Sequence, residues 1–256
     1  MPTDPLMPPY PQPDMALFLD FDGTLVPLAA TPDSIIVPPG LVPLLQQLQT
    51  VLGGAVAVIS GREIAAVDRY VHPLRLPCAG SHGAERRRAD GQQSQLLGDG
   101  LEHIATACWQ LAARHHPALL VESKPSGVAL HYRRDPTLEP QCLRVLEAAV
   151  AGRPDWVLVR GKCVIEALPA GINKGAAIAA FMQEAPFAGR TACFAGDDVT
   201  DETGFSVVQQ QQGVAIKVGP GASCARYRLG GVPQVHAWLH TACARLTARH
   251  SLEARV

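Results

Sequence analysis

The run Ala16-Leu17-Phe18-Leu19 ends abruptly in Asp20, and Phe21-Asp22-Gly23-Thr24 follows. Four apolar residues closed by a turn signal make a buried strand of a parallel sheet. Ligands of open α/β sheets bind beyond the carboxyl ends of the strands, so Asp20 stands where a ligand would. Asp22 is two residues on, and Gly23 lets the backbone turn sharply. Two carboxylates at one strand end, ~4 Å apart at an effective dielectric of ~20, repel by about 4 kcal/mol. A bound Mg²⁺ is the simplest way to offset that. The alternative is a polar strand exit with nothing bound.

The rest of the chain repeats the rhythm, with one interruption. Leu41, Leu44, Leu45, Leu48 and Leu52 recur at helical spacing, then residues 55–59 form a second apolar run closed by Ser60-Gly61-Arg62. A helix to about Val71 and a short strand at 76–79 complete a βαβ pattern, hence a helix-covered parallel sheet. After about Arg86 the pattern changes. Helices at 101–114 and 136–151 accompany strands at 119–123, 128–133, 157–159 and 163–168, which pair as hairpins. After Asn173 the first rhythm returns, with helices at 173–184, near 202–211 and at about 234–248, and strands at 191–195 and 214–218. The expected fold is α/β: a doubly wound, Rossmann-like parallel-sheet core with an inserted α+β cap. The core takes residues 15–86 and 170–256, the cap 87–169, and residues 1–14 form a flexible Pro-rich lead.

Composition excludes several functions. Lys+Arg is 22 against Asp+Glu 23, a net charge of −1, which gives no bulk attraction to nucleic acid or an anionic membrane. No stretch reaches the ~18–20 apolar residues of a membrane span, and the lead has neither the basic nor the apolar region of a signal peptide. Seven scattered cysteines without a C-x-x-C fit a reducing cytoplasm better than a disulfide framework or a zinc site. Arginine is the usual cation. The only lysines are Lys124, Lys162, Lys174 and Lys217, and an ammonium is not interchangeable with a guanidinium.

Three further ends carry groups that suit the first. The Ser60 hydroxyl can donate to a phosphate oxygen, with Gly61 allowing close approach; it can equally cap the next helix. Lys174 opens a helix, where anions rather than cations are favoured, so it makes more sense beside a phosphate than alone; the alternative is a solvated surface lysine. The strand 192–195 runs into Gly196-Asp197-Asp198-Val199-Thr200-Asp201-Glu202, which suits a hard cation with oxygen ligands; Thr200 or Asp201 can also cap the following helix.

In order, Asp-x-Asp-Gly-Thr, Ser-Gly-Arg, Asn-Lys-Gly and Gly-Asp-Asp-x-x-Asp-Glu resemble the motifs of the haloacid dehalogenase-like phosphatase superfamily. That resemblance implies Asp20 as nucleophile, Asp22 as general acid/base, Ser60 and Lys174 on the phosphoryl oxygens, and Asp20, Asp22 and Asp197 as Mg²⁺ ligands. Asp201 and Asp198 stand as outer or alternative ligands. Carboxylate attack on a phosphate monoester needs its charge neutralised, which Mg²⁺ and Lys174 can supply.

A closer resemblance is carried by Gly80-Ser81-His82-Gly83-Ala84-Glu85, Glu122-x-Lys124, Leu130-His131-Tyr132-Arg133, Gly161-Lys162-x-Val164-x-Glu166 and Val218-Gly219. These are similar to the signatures of bacterial trehalose-6-phosphate phosphatases. The implied reaction is Mg²⁺-dependent release of trehalose from trehalose 6-phosphate through an aspartyl-phosphate. Implied substrate contacts are Gly23, Thr24, Gly61, Arg62, His82, Glu85, Glu122, Lys124, Lys162 and Glu166. The expected protein is a cytoplasmic monomer linked in function to trehalose-6-phosphate synthase. The alternatives are another sugar-phosphate enzyme, such as sucrose-6-phosphate phosphatase or a phosphohexomutase, and a non-catalytic phosphosugar-binding regulator.

Overall fold

A computed structural model describes residues 6–29, 31 and 34–253. In chain order the elements are β1 (Met15–Leu19), α1 (Leu41–Val51), β2 (Val56–Ile59), α2 (Ile64–Val71), β3 (Cys78–Gly80), β4 (Glu85–Arg87), β5 (Gln93–Gln95), α3 (Leu101–Arg114), β6 (Leu120–Lys124) and β7 (Gly127–His131). There follow α4 (Glu139–Val150), β8 (Trp156–Gly161), β9 (Val164–Pro169), α5 (Lys174–Phe181), β10 (Thr191–Gly196), α6 (Glu202–Gln210), β11 (Val214–Val218), β12 (Tyr227–Leu229) and α7 (Val232–Glu253). The chain divides into two compact units. One holds the residues up to Gln93, Asn173–Asp197 and those from Asp201 on; the other holds Ser94–Ile172 with Asp198–Thr200.

The first unit is built on a sheet ordered β12-β11-β10-β1-β2-β3-β4-β5. The strands from β12 to β3 run parallel, and β4 is antiparallel to β3. From β1 the chain winds one way to β2 and β3. After the second unit it returns at β10, on the other side of β1. The order therefore reverses between β1 and β10, the place where open α/β sheets bind ligands. Alternation along β1 makes two cores. Leu17 and Leu19 pack with α1, α2 and α7 through Leu45, Val67 and Leu239, while Ala16 and Phe18 pack with α5 and α6 through Ile178, Phe181 and Phe205. The strands are buried on both faces, which is why they read as unbroken apolar runs.

The second unit is an antiparallel sheet ordered β6-β7-β9-β8. Val121, Val128, Leu130, Ile165 and Ala167 on its strands share a core with Ile104, Cys108 and Leu111 of α3 and Cys142 and Leu146 of α4. The insertion expected from Arg87 onward begins here at Ser94. Glu85-Arg86-Arg87 has no apolar residue and is not expected as a strand, yet it pairs with Cys78–Gly80. Arg87 is held by Asp68 at both Nη atoms (2.6 and 2.7 Å) and by the Leu76 carbonyl, which lets a guanidinium sit buried.

Of the lead expected to be flexible, residues 1–5 lie outside the described residues. Residues 6–14 are tied to the first unit. The Leu6 carbonyl accepts from Arg228 N at 3.1 Å and Asp14 O from Thr191 N at 3.1 Å, and Arg190 Nη1 donates to Pro13 O at 2.8 Å. Prolines lack a donor but keep a carbonyl, so such a segment can still be fastened by donors from the body. Among the described residues no helix is long and apolar enough to cross a membrane.

Phe18 is fully buried, stacked on Phe187 at 5.4 Å and tilted against Phe181 at 6.1 Å. Phe18→Ala is expected to lower unfolding free energy by roughly 3–5 kcal/mol, measured by urea denaturation. A loss below about 1 kcal/mol would contradict this packing.

Candidate active site

Asp20 continues β1: its N–H donates to Ala195 O on β10 at 2.9 Å. It follows Leu19, so its side chain shares the face of Phe18 and points toward the α5 side. Asn173 caps that helix by accepting from Ala176 N at 2.9 Å, which makes Lys174 the first helical residue. A cation there opposes the helix dipole, and two carboxylates offset it. Lys174 Nζ donates to Asp20 Oδ1 at 2.7 Å and to Asp201 Oδ1 at 2.6 Å. Asp20, Asp201 and Lys174 are all buried.

Asp20, Asp197 and Asp201 each offer a carboxylate oxygen within 4.8 Å of the others. At that separation each ionised pair repels by roughly 3–4 kcal/mol at an effective dielectric of about 20. Burial pushes the Asp20 carboxyl well above the usual carboxylate range; Lys174 pulls it down, and Asp201 and Asp197 push it up again. Burial likewise works against the charge on Lys174, but Asp20 and Asp201 outweigh it and raise its pKa. A hard divalent cation suits this all-oxygen donor set and reverses the sign of the field on Asp20.

Two glycines make the convergence sterically possible. Gly23 has φ +77°, and a Cβ there would lie 2.2 Å from Asp197 Oδ2; a Cβ on Gly196 would lie 2.3 Å from Asp201 Cγ. The carboxylates occupy space that any side chain would take. Thr24, next to Gly23, is fully buried, and its hydroxyl has no hydrogen-bond partner among the described residues. Buried hydroxyls are normally satisfied, so a phosphoryl oxygen is a fitting partner.

Asp22 stands apart from the carboxylate cluster. Arg62 holds it in a two-point pair, Nε to Oδ2 at 2.6 Å and Nη2 to Oδ1 at 2.9 Å. Both carboxylate oxygens expected on a metal are thus engaged by a guanidinium, and Asp201 takes the third place in the cluster. Asp198 is half-buried and outside it. Ser60, buried at the end of β2, accepts from Arg62 N at 3.1 Å.

The turn 81–85 braces this loop. Ser81 and His82 are both left-handed, with φ +47° and +59°, a conformation that costs of order 1–3 kcal/mol each in non-glycine residues. Ser81 N donates to Arg62 O at 2.8 Å and His82 N to Ser60 O at 2.9 Å. The Glu85 carboxylate accepts from Ser81 Oγ at 3.1 Å and from Ile64 N, at the start of α2, at 3.0 Å. Glu85 therefore orients the loop carrying Ser60 and Arg62. The His82 ring lies against Gly61, where a Cβ would come within 2.7 Å of it.

In the second unit, Glu122, Ala129 and Glu166 are register partners across β6, β7 and β9, which puts the two glutamates on one sheet face. Lys124 lies two residues from Glu122 on that face and is 3.4 Å from Glu166 Oε1 and 3.7 Å from Glu122 Oε1. His131 Nε2 donates to Glu122 Oε2 at 2.8 Å. Burial opposes the charge on Glu122, but His131 and Lys124 hold its carboxyl below the ordinary glutamate range. Lys162 is exposed in the β8–β9 turn, where its carbonyl accepts from Arg133 at 3.2 Å.

The family model described as trehalose-phosphatase matches residues 18–230. The chain belongs to the trehalose-phosphatase family. It is 43% identical over 225 residues to the trehalose-6-phosphate phosphatase of Escherichia coli, covering 88% of this chain and 85% of that protein. It is 42% identical over 231 residues to a probable trehalose-phosphate phosphatase of Sinorhizobium fredii, covering 87% and 84%. In fold it is similar to the C-terminal domain of Candida albicans trehalose-6-phosphate phosphatase, with a TM-score of 0.82, 20% identity, and 94% and 99% of the two chains covered. As a trehalose-phosphatase family member it is a phosphoric monoester hydrolase with the fold of haloacid dehalogenase-like phosphatases.

One residue of this phosphatase escaped the motif reading. Lys217 is buried on β11, and its Nζ donates to the main-chain carbonyl of Asp197. The scarcity of lysine was the signal available; the spacing gave no partner.

Gly23→Ala is expected to displace the Asp197 carboxylate and to lower phosphate release by about a hundredfold or more, as an ångström-scale misplacement does. Phosphate-release kinetics and thermal unfolding on the same sample check it. Near-wild-type turnover would contradict the packing of Gly23 on Asp197.

Proposed function

We propose that the protein hydrolyses trehalose 6-phosphate to trehalose and inorganic phosphate through an aspartyl-phosphate on Asp20. The observation that supports this most is Asp20 at the switch point of the sheet, 2.7 Å from the Lys174 ammonium inside a buried carboxylate cluster. An Asp20 oxygen attacks phosphorus as the ester P–O bond breaks. Asp22 gives its proton to the leaving sugar oxygen, then takes one from the water that attacks the aspartyl-phosphate and frees Asp20. The Arg62 pair fixes the Asp22 carboxylate between those two proton transfers. Ser60, Thr24 and Lys174 bind the phosphoryl oxygens. Asp20, Asp197 and Asp201 would hold Mg²⁺, which when bound supplies positive charge for the phosphoryl group.

Every phosphate ester shares that phosphoryl group, so discrimination between sugars needs other residues. We assign it to the inserted unit, as a specificity cap. Glu122, Lys124 and Glu166 gather two acceptor groups and one donor group on one sheet face, which suits sugar hydroxyls. Lys162 on the β8–β9 turn and His82 beside Gly61 extend the proposed sugar contacts. Seven free cysteines, five of them buried, favour a reducing cytoplasm. The substrate ties the protein in function to the synthase that makes trehalose 6-phosphate, and a monomer is sufficient for the reaction described.

Glu122→Ala, Lys124→Ala and Glu166→Ala should each lower kcat/KM for trehalose 6-phosphate by about ten- to a hundredfold, the cost of one hydrogen bond to a charged group. Hydrolysis of p-nitrophenyl phosphate, which has no sugar to hold, should change little. A panel of sugar phosphates assayed with the wild type and the three variants measures both. Equal loss on both substrates together with lower thermal stability would mean that these charges only support folding. Unchanged hydrolysis of trehalose 6-phosphate in all three would remove the basis of the disaccharide assignment.

A further inference from the structure

Lys217 is 5% exposed, an uncommon place for an ammonium group, and the reaction as described does not use it. The ladder pairs Gly196 with Lys217 as the last partners of β10 and β11. The carbonyl of Asp197 falls just past that pair and needs a donor from elsewhere. Lys217 Nζ supplies it, and donates also to Val218 O at 3.3 Å. That carbonyl belongs to the peptide joining Asp197 to Asp198, beyond the end of β10, where no ladder partner fixes it. A charge-assisted hydrogen bond on the carbonyl is therefore a direct restraint on how the Asp197 peptide is turned.

The restraint is itself anchored. Arg228 donates to the carbonyls of Gly219 and, at 2.8 Å, Gly221, and the Glu202 carboxylate accepts from Cys224 N at 2.9 Å. The segment following Lys217 is thus fastened to β12 on one side and to the start of α6 on the other. Glu202 also interacts electrostatically with Lys217, which helps keep a cation in a buried position.

We propose that Lys217 is a positioning residue for the Asp197 carboxylate: its ammonium fixes the Asp197 peptide so that the side chain faces Asp20 and Asp201 and completes the metal site. The proposal rests on the metal reading given above. It differs in sign from a simple charge effect. A cation beside a cation site repels the incoming ion, so if charge alone mattered, removing Lys217 would tighten metal binding. If positioning matters, removing it weakens binding.

The test measures Mn²⁺ affinity of the full chain directly, by titration calorimetry, alongside thermal unfolding, for the wild type, Lys217→Met and Lys217→Gln. Lys217→Met should weaken Mn²⁺ binding by about tenfold or more, the usual effect of losing a group that orients a metal ligand. Lys217→Gln keeps an N–H donor and should recover part of that loss. Mn²⁺ binding as tight as, or tighter than, that of the wild type in folded Lys217→Met overturns the proposal, as does a lower melting temperature with unchanged affinity. If Lys217→Met does not fold, Lys217→Gln decides by the same measure: weaker binding supports positioning, equal or tighter binding overturns it. A wild type that binds no Mn²⁺ overturns the metal reading itself, and the role of Lys217 with it.

Discussion

Three buried carboxylates converge beside the Lys174 ammonium, and two of them bond it. Lys174 reaches Asp20 and Asp201 at 2.7 and 2.6 Å, and Asp197 completes the cluster. With all three ionised, the buried cluster carries more negative charge than Lys174 offsets, and Lys217 meets it only through the Asp197 carbonyl. Such an arrangement persists only if the fold over-determines it. The two cores do so by burying β1 and β10 on both faces, and the reversal of strand order puts the ends of those strands side by side. The same repulsion is what the proposed metal site would use, because a divalent cation bound there would relieve it. Gly23 and Gly196 belong to the same constraint, since a methyl group on either would stand where a carboxylate must be.

Much of this was legible in the sequence because each active element announces itself locally. An apolar run that stops at Asp20 or at Gly196-Asp197 marks a strand end, and the return of βαβ rhythm after Asn173 marks the second half of the core. The doubly wound sheet, the antiparallel inserted sheet and the trehalose-phosphatase family assignment follow from those signals. What stayed hidden depends on contacts between distant residues. Glu85 carries the signature expected of a sugar contact, yet its carboxylate caps α2 and holds Ser81. Asp22 sits in the motif of a metal ligand, but Arg62, forty residues on, engages both of its oxygens. β4 is three charged residues long and has no apolar alternation, so only its pairing with β3 and the buried Arg87–Asp68 pair reveal it. The Pro-rich lead suggests a loose segment, and donors from Arg190 and Arg228, far along the chain, fasten residues 6–14.

The two compact units present different chemistry. The first gathers the carboxylates of Asp20, Asp197 and Asp201 beside Lys174, which suits the metal-assisted attack on phosphorus proposed above. The second spreads two carboxylates, one ammonium and an imidazole over one sheet face, where His131 and Lys124 hold the Glu122 carboxyl below the ordinary glutamate range. An ionised carboxylate accepts hydrogen bonds, which suits the hydroxyl groups of a sugar. That division is the basis of the proposal that the first unit carries the reaction and the inserted unit the recognition of the sugar.

Covalent catalysis at Asp20 is the central claim, and trapping tests it most directly. Protein mixed with excess trehalose 6-phosphate and Mg²⁺ is quenched in acid during turnover, where an acyl phosphate survives, then digested and weighed by mass spectrometry. One phosphoryl group should be found on the peptide that contains Asp20, and none when Asp20 is replaced by Asn. Steady turnover with no phosphorylated peptide, or with the group on another residue, would contradict the claim.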